Sequence, residues 1–298
     1  MILGTSPLRS GSRERVLGDT RFGADQGQAG DLYLACVRIH KAPARIDGID
    51  PAPALALPGV VRVFTAADIP GVNRLGIIPV SKDQEFLAEE LVRCPGQAVA
   101  LVAAETPEAA RAGARAVVVK LTGAPGVYDM AEALAEGAPL VHPGREQGNL
   151  LDLRVIKNGD VEAAFKASAV VVEADYTTSM IEHAALETEG GRAWWEDGRL
   201  YVTACTQNPH YDRDDLVRFL GLKPEDLVVI QAETGGGFGG KLDVSVQPYL
   251  ALAAWHLKRP TRLVYTREES FLSTGKRHPF RMHYVTGADE QGRLTRSE

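Results

Sequence analysis

Residues 232–243 read AETGGGFGGKLD, with five glycines and one phenylalanine over positions 235–240, set between two apolar runs. Glycine has no Cβ, so a backbone this rich in it can turn through left-handed conformations and approach a ligand closely. Successive N–H groups in such a turn converge on an anion or an oxo group. The occupant decides how the rest of the chain is read: a dinucleotide, a phosphate, another cofactor, or nothing. The loop is entered from LVVIQAE (227–233), which reads as a strand. It is followed by VSVQPYLALAAWHLKRP (244–260), apolar at helical spacing and stopped before Pro260.

Gly235, Gly237 and Gly240 satisfy GxGxxG, the dinucleotide fingerprint, and a strand precedes while a helix follows. Glu268 and Glu269, at the end of the next expected strand TRLVYTREE, lie about 30 residues on, where roughly 20 is expected of the ribose-binding acid. A P-loop fails, because Lys241 is followed by Leu242 and the magnesium-binding hydroxyl is missing. A surface loop without a ligand is the bland alternative; it leaves Phe238 as an aromatic ring among glycines with nothing to pack on.

Bulk properties narrow the classes. A chain of 298 residues suits two domains, and 45% apolar with 24% charged residues is a globular composition. No apolar stretch approaches the roughly 18–20 residues that span a bilayer, and the start MILGTSPLRSGSRERVLGD lacks a signal-peptide core, so a cytoplasmic protein without a membrane partner is expected. A net charge of −6 argues against nonspecific nucleic-acid binding. Cys36, Cys94 and Cys205 are too few and too dispersed for a disulfide framework or a CxxC site; they read as reduced thiols. They cannot by themselves hold an iron–sulfur cluster with four thiolate ligands. Neither HExxH nor GxSxG occurs.

Along the chain, residues 1–15 are polar and expected to be irregular. DLYLACVRI (31–39) reads as a strand, and PALALPGVVRVFTAADIPG as a short helix, a Pro-Gly turn and a Val-rich strand. QAVALVAA (97–104) has the pattern of a strand buried on both faces. Thr106 and Pro107 open a helix in TPEAARAGARAV, and VVVKL (117–121) returns as strand. A short helix and a Pro/Gly/polar connection follow at 129–152. Asp160 then stands at a helix start, with a strand at 169–177. Next come a hairpin about Asp197-Gly198 and a helix ended by Gly221. RMHYVTGADEQGRLTRSE reads as two strands about a glycine-containing turn, and a chain stopping within GRLTRSE is expected to be incomplete or completed by a partner.

With TQNPHYDRDDLVRFLGL (206–222), GGGFGGK (235–241) and KRHPF (276–280) in that order, the chain resembles the molybdenum-binding subunits of the xanthine dehydrogenase and aldehyde oxidoreductase family. GADQGQAGDLYLACVRIHKAPARIDGID (23–50), ALPGVVRVFTAADIPG (56–71) and PGQAVALVAAETPEAARAGARAV (95–117) are similar to that family's hammerhead domain. The resemblance implies an α+β fold. A tail at 1–15 precedes a hammerhead α+β domain at 16–130 and a linker at 131–155. The first part of a mixed α/β molybdopterin-binding domain occupies 156–298.

By the same resemblance, Gln207 stands over the metal and donates from its amide to an apical oxo ligand. Gly236, Gly237, Phe238 and Gly239 lie against the molybdenum ligands and the pterin, with no protein ligand to the metal itself. Phe238 walls the substrate funnel or, alternatively, plugs the core. Purine-oxidising members carry glutamate where this chain has Leu242; an apolar side chain suits an aldehyde or an aromatic heterocycle instead, unless it points away. Glu187, in EHAALETE (182–189), is expected beneath the active-site region without a catalytic task, and no paired-carboxylate role with Glu182 is supported. Lys276, Arg277, His278 and Arg281 meet an anionic pterin phosphate or a neighbouring domain, or form a solvated face.

The implied cofactor is molybdopterin in its cytosine dinucleotide form, carrying molybdenum, and the implied reaction is hydroxylation with water as the oxygen source. Iron–sulfur clusters belong to another domain or subunit, the remaining molybdopterin-binding segment is a further partner, and a flavin subunit is an optional one. The family's base glutamate falls beyond this sequence, so these residues alone are expected to be inactive. A dinucleotide-binding oxidoreductase domain and a non-catalytic scaffold or assembly module remain the alternatives.

Overall fold

The computed structural model describes residues 3–297. Two compact units emerge, one combining residues up to Asn149 with Ala184–Thr274, the other combining Leu150–His183 with the residues from Gly275 onward.

Helix α1 (Ser12–Leu17) begins inside the stretch expected to be irregular, bounded by Gly11 and Gly18 in left-handed conformations. Strand β1 (Leu32–Arg38) is buried over most of its length, and β2 (Ala44–Asp50) comes next, then α2 (Ala52–Leu55), β3 (Val60–Thr65) and β4 (Leu91–Val92). Every residue of β5 (Ala98–Ala104) is buried, as its unbroken apolar run requires. Thr106 caps α3 (Pro107–Ala116) by accepting the Ala109 N–H at 3.1 Å. Gly113 lets that helix press on the sheet: a Cβ there would lie 2.8 Å from Val102 Cγ1. After β6 (Val118–Gly123), Asp129 caps α4 (Met130–Ala133).

In the second unit, Asp160 caps α5 (Val161–Lys166), which leads to β7 (Val170–Thr178). The first unit resumes with the hairpin of β8 (Gly190–Glu196) and β9 (Arg199–Ala204), turned by Asp197 and Gly198 at φ +48° and +78°. Positive φ at both central residues matches the right-handed strand twist. Asn208 caps α6 (Pro209–Leu220), which ends at left-handed Gly221; β10 (Leu227–Gln231) runs into the glycine loop. Helix α7 (Gln247–Leu257) is buried from Gln247 to Ala254, consistent with an apolar surface on all sides. Of the expected strand TRLVYTREE only β11 (Thr261–Val264) forms. The remainder is the start of α8 (Arg267–Ser273): Thr266 Oγ1 accepts the Glu269 N–H at 3.1 Å, and Glu269 Oε2 accepts the Thr266 N–H at 2.9 Å. That reciprocal box satisfies two orphan donors, and it overrides the strand pattern. Strands β12 (Phe280–Ala288) and β13 (Leu294–Ser297) close the described chain in the second unit.

Seven strands form one sheet in the order β10-β9-β8-β11-β1-β5-β3, with β1/β11 and β9/β10 parallel and the other pairs antiparallel. A smaller sheet of the same unit runs β4-β2-β6, and the second unit holds β13-β12-β7. The larger core cluster includes Phe64, Leu101, Leu200, Phe219 and Leu250, and a second includes Val37, Val99, Val102 and Val117. Fully burying one such Leu or Phe side chain stabilises the fold by roughly 1.5–3 kcal/mol. No helix among the described residues is long and apolar enough to cross a membrane. The parallel pair β9/β10 delivers the chain twice to the same end of the large sheet.

Candidate functional site

Beyond the carboxyl ends of β9 and β10 the chain makes two excursions that meet. Outside the carboxyl ends of parallel strands is where open α/β sheets place ligands. From β9, buried Thr206 leads to Gln207 and to Asn208, the cap of α6. From β10, the glycine loop crosses over Gln207. Backbone N–H groups of Gly239 and Lys241 both donate to Gln207 Oε1, at 3.0 and 3.2 Å, and the Gln207 N–H donates to the Lys241 carbonyl at 2.9 Å. Two N–H donors aimed at one terminal atom fix it as the oxygen. The amide nitrogen is therefore the outward atom, and it makes no hydrogen bond among the described residues.

The loop's own conformation is unusual. Gly236, Phe238 and Gly239 adopt φ of +104°, +54° and +95°, with Gly237 outside the left-handed region. Positive φ on either side of Gly237 breaks any regular hydrogen-bonding pattern and leaves backbone N–H groups open, as in the concavities that bind anions. The N–H groups of Gly236, Gly237 and Phe238 have no acceptor among the described residues, whereas their neighbours do: Gly235 donates to Glu187, Gly239 to Gln207, and Gly240 to the Gly237 carbonyl at 2.8 Å. Gly237 leaves room for the Gln207 amide: a Cβ on it would lie 2.4 Å from Gln207 Oε1 and displace that side chain.

Beneath the bend lies a buried ion pair. Lys241, 2% exposed, donates from Nζ to Glu187 Oε2 at 2.8 Å and to the Glu187 carbonyl at 3.1 Å. Glu187 also accepts the Gly235 N–H at 2.7 Å and the Gly23 N–H at 3.0 Å. Glu187 thus sits under the loop. Its attachment to Lys241 has no signal in the sequence; 54 positions separate the two, and no local pattern marks the pairing.

Phe238 is 75% exposed, which removes the reading of its ring as a core plug; the ring edge folds back over Gly236 and leaves a face in the open. Leu242 is 37% exposed, one residue past the Lys241 anchor. Gln207, Gly236, Gly237, Phe238, Gly239 and Leu242 therefore share one end of the sheet. The GxGxxG geometry is not formed. The next helix starts at Gln247, seven residues after Gly240, so none of these glycines opens a helix onto a pyrophosphate. Lys276, by contrast, lies in the second unit and pairs with Glu182 at 2.5 Å, and Arg277 exchanges backbone hydrogen bonds with Ile181.

Electrostatics behind the site are dominated by burial. Asp212, on α6, is fully buried; desolvation pushes its carboxyl up to about 7, outweighing the hydrogen bond that Gln247 donates at 3.0 Å, with Asp215 and Asp243 adding to the rise. Burial likewise raises the Cys36 and Cys205 thiols to about 11, so neither is a thiolate near neutrality. Among the described residues no three His, Cys, Asp or Glu side chains are grouped to hold a metal ion.

Comparison with known proteins gives two family matches. Residues 17–125 match the aldehyde oxidase and xanthine dehydrogenase a/b hammerhead domain, and residues 141–298 match the molybdopterin cofactor-binding domain. The chain is 40% identical over 294 residues to the nicotinate dehydrogenase large molybdopterin subunit of Eubacterium barkeri, covering 98% of this chain and 68% of that protein. It is 38% identical to a probable xanthine dehydrogenase subunit of Bacillus subtilis over 97% of this chain and 38% of the relative. The solved aldehyde oxidoreductase from Desulfovibrio gigas superposes with a TM-score of 0.88 at 31% identity, over 98% of this chain and 33% of that one. The chain thus spans from 33% to 68% of the length of these relatives.

Proposed function

Because this chain belongs to the xanthine dehydrogenase and aldehyde oxidoreductase family of molybdenum hydroxylases, with a hammerhead domain followed by a molybdopterin cofactor-binding domain, we propose that the bend at 236–239 and the Gln207 amide hold the molybdopterin centre of such an enzyme. The observation that carries this is the locked carboxamide. Its oxygen is consumed by Gly239 and Lys241, so its NH2 group faces outward beside the open N–H groups of Gly236, Gly237 and Phe238. Such a donor set suits the oxygen and sulfur atoms of a large anionic cofactor, and it suits direct metal ligation poorly. When bound, the molybdenum centre supplies a two-electron oxidation in which water furnishes the oxygen and electrons pass to iron–sulfur clusters.

This chain's residues bind and orient. Gln207 donates without adding charge, and its direction is fixed because both acceptor lone pairs are in use. Phe238 presents a ring face and Leu242 an apolar flank, and neither can hydrogen-bond a purine. Those surfaces favour an aldehyde or an aromatic heterocycle as the substrate. Among the described residues the carboxylates flanking the bend are already engaged: Glu187 is tied to Lys241, Glu233 pairs with Arg15, and Asp243 accepts the Ile77 N–H at 2.6 Å. We therefore assign the base to a further molybdopterin-binding segment and take these 298 residues alone to be inactive. The same reading puts the iron–sulfur clusters on another domain or subunit, which the burial of Cys36 and Cys205 supports, and it includes a cytosine dinucleotide form of the pterin.

The test is chemical analysis of the complex containing this chain. Molybdenum by mass spectrometry, pterin fluorescence after oxidation, and cytidine monophosphate after acid hydrolysis should each approach one per complex. A complex with neither molybdenum nor pterin contradicts the proposal; adenosine or guanosine monophosphate contradicts only the nucleotide assignment.

A further inference from the structure

Lys241 is the residue through which the site's two excursions are joined to the core. Its backbone N–H holds Gln207 Oε1 at 3.2 Å, its carbonyl accepts the Gln207 N–H at 2.9 Å, and its ammonium reaches down to Glu187 at 2.8 Å. Glu187 in turn holds the entry to the bend through Gly235 and the segment at Gly23. With the lysine side chain 1% and the glutamate side chain 10% exposed, solvent cannot substitute for either partner.

We propose that Lys241, anchored by Glu187, is a positioning residue that sets the direction in which the Gln207 amide donates. It touches neither substrate nor cofactor and acts through Gln207. The inference rests on the cofactor reading of the bend and the Gln207 amide. If the Lys241 ammonium is removed, the residue's backbone is free to shift, the pair of N–H donors on Gln207 Oε1 separates, and the amide can rotate. A neutral pair without the anchor would fold and load cofactor, yet leave Gln207 unaligned.

The experiment is a double-mutant cycle read spectroscopically in the complex as purified. Dithionite-reduced samples of the parent, Gln207→Leu, Lys241→Met and the double variant are compared by electron paramagnetic resonance of Mo(V), with molybdenum and pterin content measured alongside. Lys241→Met should displace the g values in the same direction as Gln207→Leu, and the double variant should move no further than Gln207→Leu alone. Lys241→Arg, which keeps a cation facing Glu187, should restore a parent-like signal. Should Lys241→Met fail to fold, Lys241→Met/Glu187→Gln removes both charges and carries the same prediction.

Additive displacements, or a parent signal unchanged in Lys241→Met, overturn the inference. So does pterin loss in Lys241→Met when Gln207→Leu stays loaded, because the pair would then serve retention and not Gln207. A parent complex without a molybdenum signal removes the cofactor reading itself, which separates the two failures.

Discussion

Phe238 holds φ at +54° with its side chain 75% exposed. A non-glycine residue in the left-handed region carries roughly 1–2 kcal/mol of strain. Glycine there would relieve it but would give back roughly 0.5–1 kcal/mol of chain entropy. Phe238→Gly should therefore change stability by less than about 1 kcal/mol in a urea titration; a loss of several kcal/mol would mean the ring packs as a core member. Lys241→Met is the opposite case. Leaving Glu187 buried without its cation is expected to destabilise by about 3–5 kcal/mol, and Lys241→Met/Glu187→Gln should recover much of it. Phe238 and the glycines stand out in the sequence because a dense run of glycine is a local signal, whereas Gln207 is marked only by the resemblance of its TQN segment to the family. The Lys241–Glu187 contact is not legible, since nothing in the neighbourhood of either residue predicts a partner 54 positions away.

Elements tell a similar story. Thr106 with Pro107, the Asp197-Gly198 turn and the left-handed Gly221 stop are short-range chemistry, and each forms where the sequence indicates. Besides α1, α8 is misread, because β-prone TRLVYT masks the T-x-x-E box at Thr266 and Glu269. Thr266→Ala should cost about 1 kcal/mol, read from denaturant midpoints, whereas a change near zero would mean that α8 is held by packing alone. Strand β2 is hidden differently: charged residues interrupt it, and pairing with β6 and β4 creates the strand. The seven-stranded sheet is invisible for a third reason. Leu32 pairs with Thr261 across most of the chain, and only tertiary packing selects that partner.

For the molecule as a whole, the buried Asp212 carboxyl gives a pH signature. Its folded value of about 7 lies above the ordinary 3.8, so the native state holds an extra proton between roughly pH 4 and pH 7. Stability should fall as pH rises through that window, by on the order of a few kcal/mol in all, and the penalty is complete above it. Asp212→Asn should flatten this part of the profile and raise stability at pH 8; an unchanged slope would assign the effect to other groups.

The cofactor assignment requires the glycine bend and the Gln207 amide to form one site, and Gly237 is the sharpest probe of that union. Its φ lies outside the left-handed region, so alanine adds a methyl group without backbone strain, 2.4 Å from Gln207 Oε1. Gly275, whose Cβ would meet open space, is the control. Pterin and molybdenum should be near one per complex in the parent and Gly275→Ala, and well below one in folded Gly237→Ala, where the added methyl group displaces the bend and its open N–H groups as well as the Gln207 amide. A full complement of cofactor in Gly237→Ala would refute a shared site.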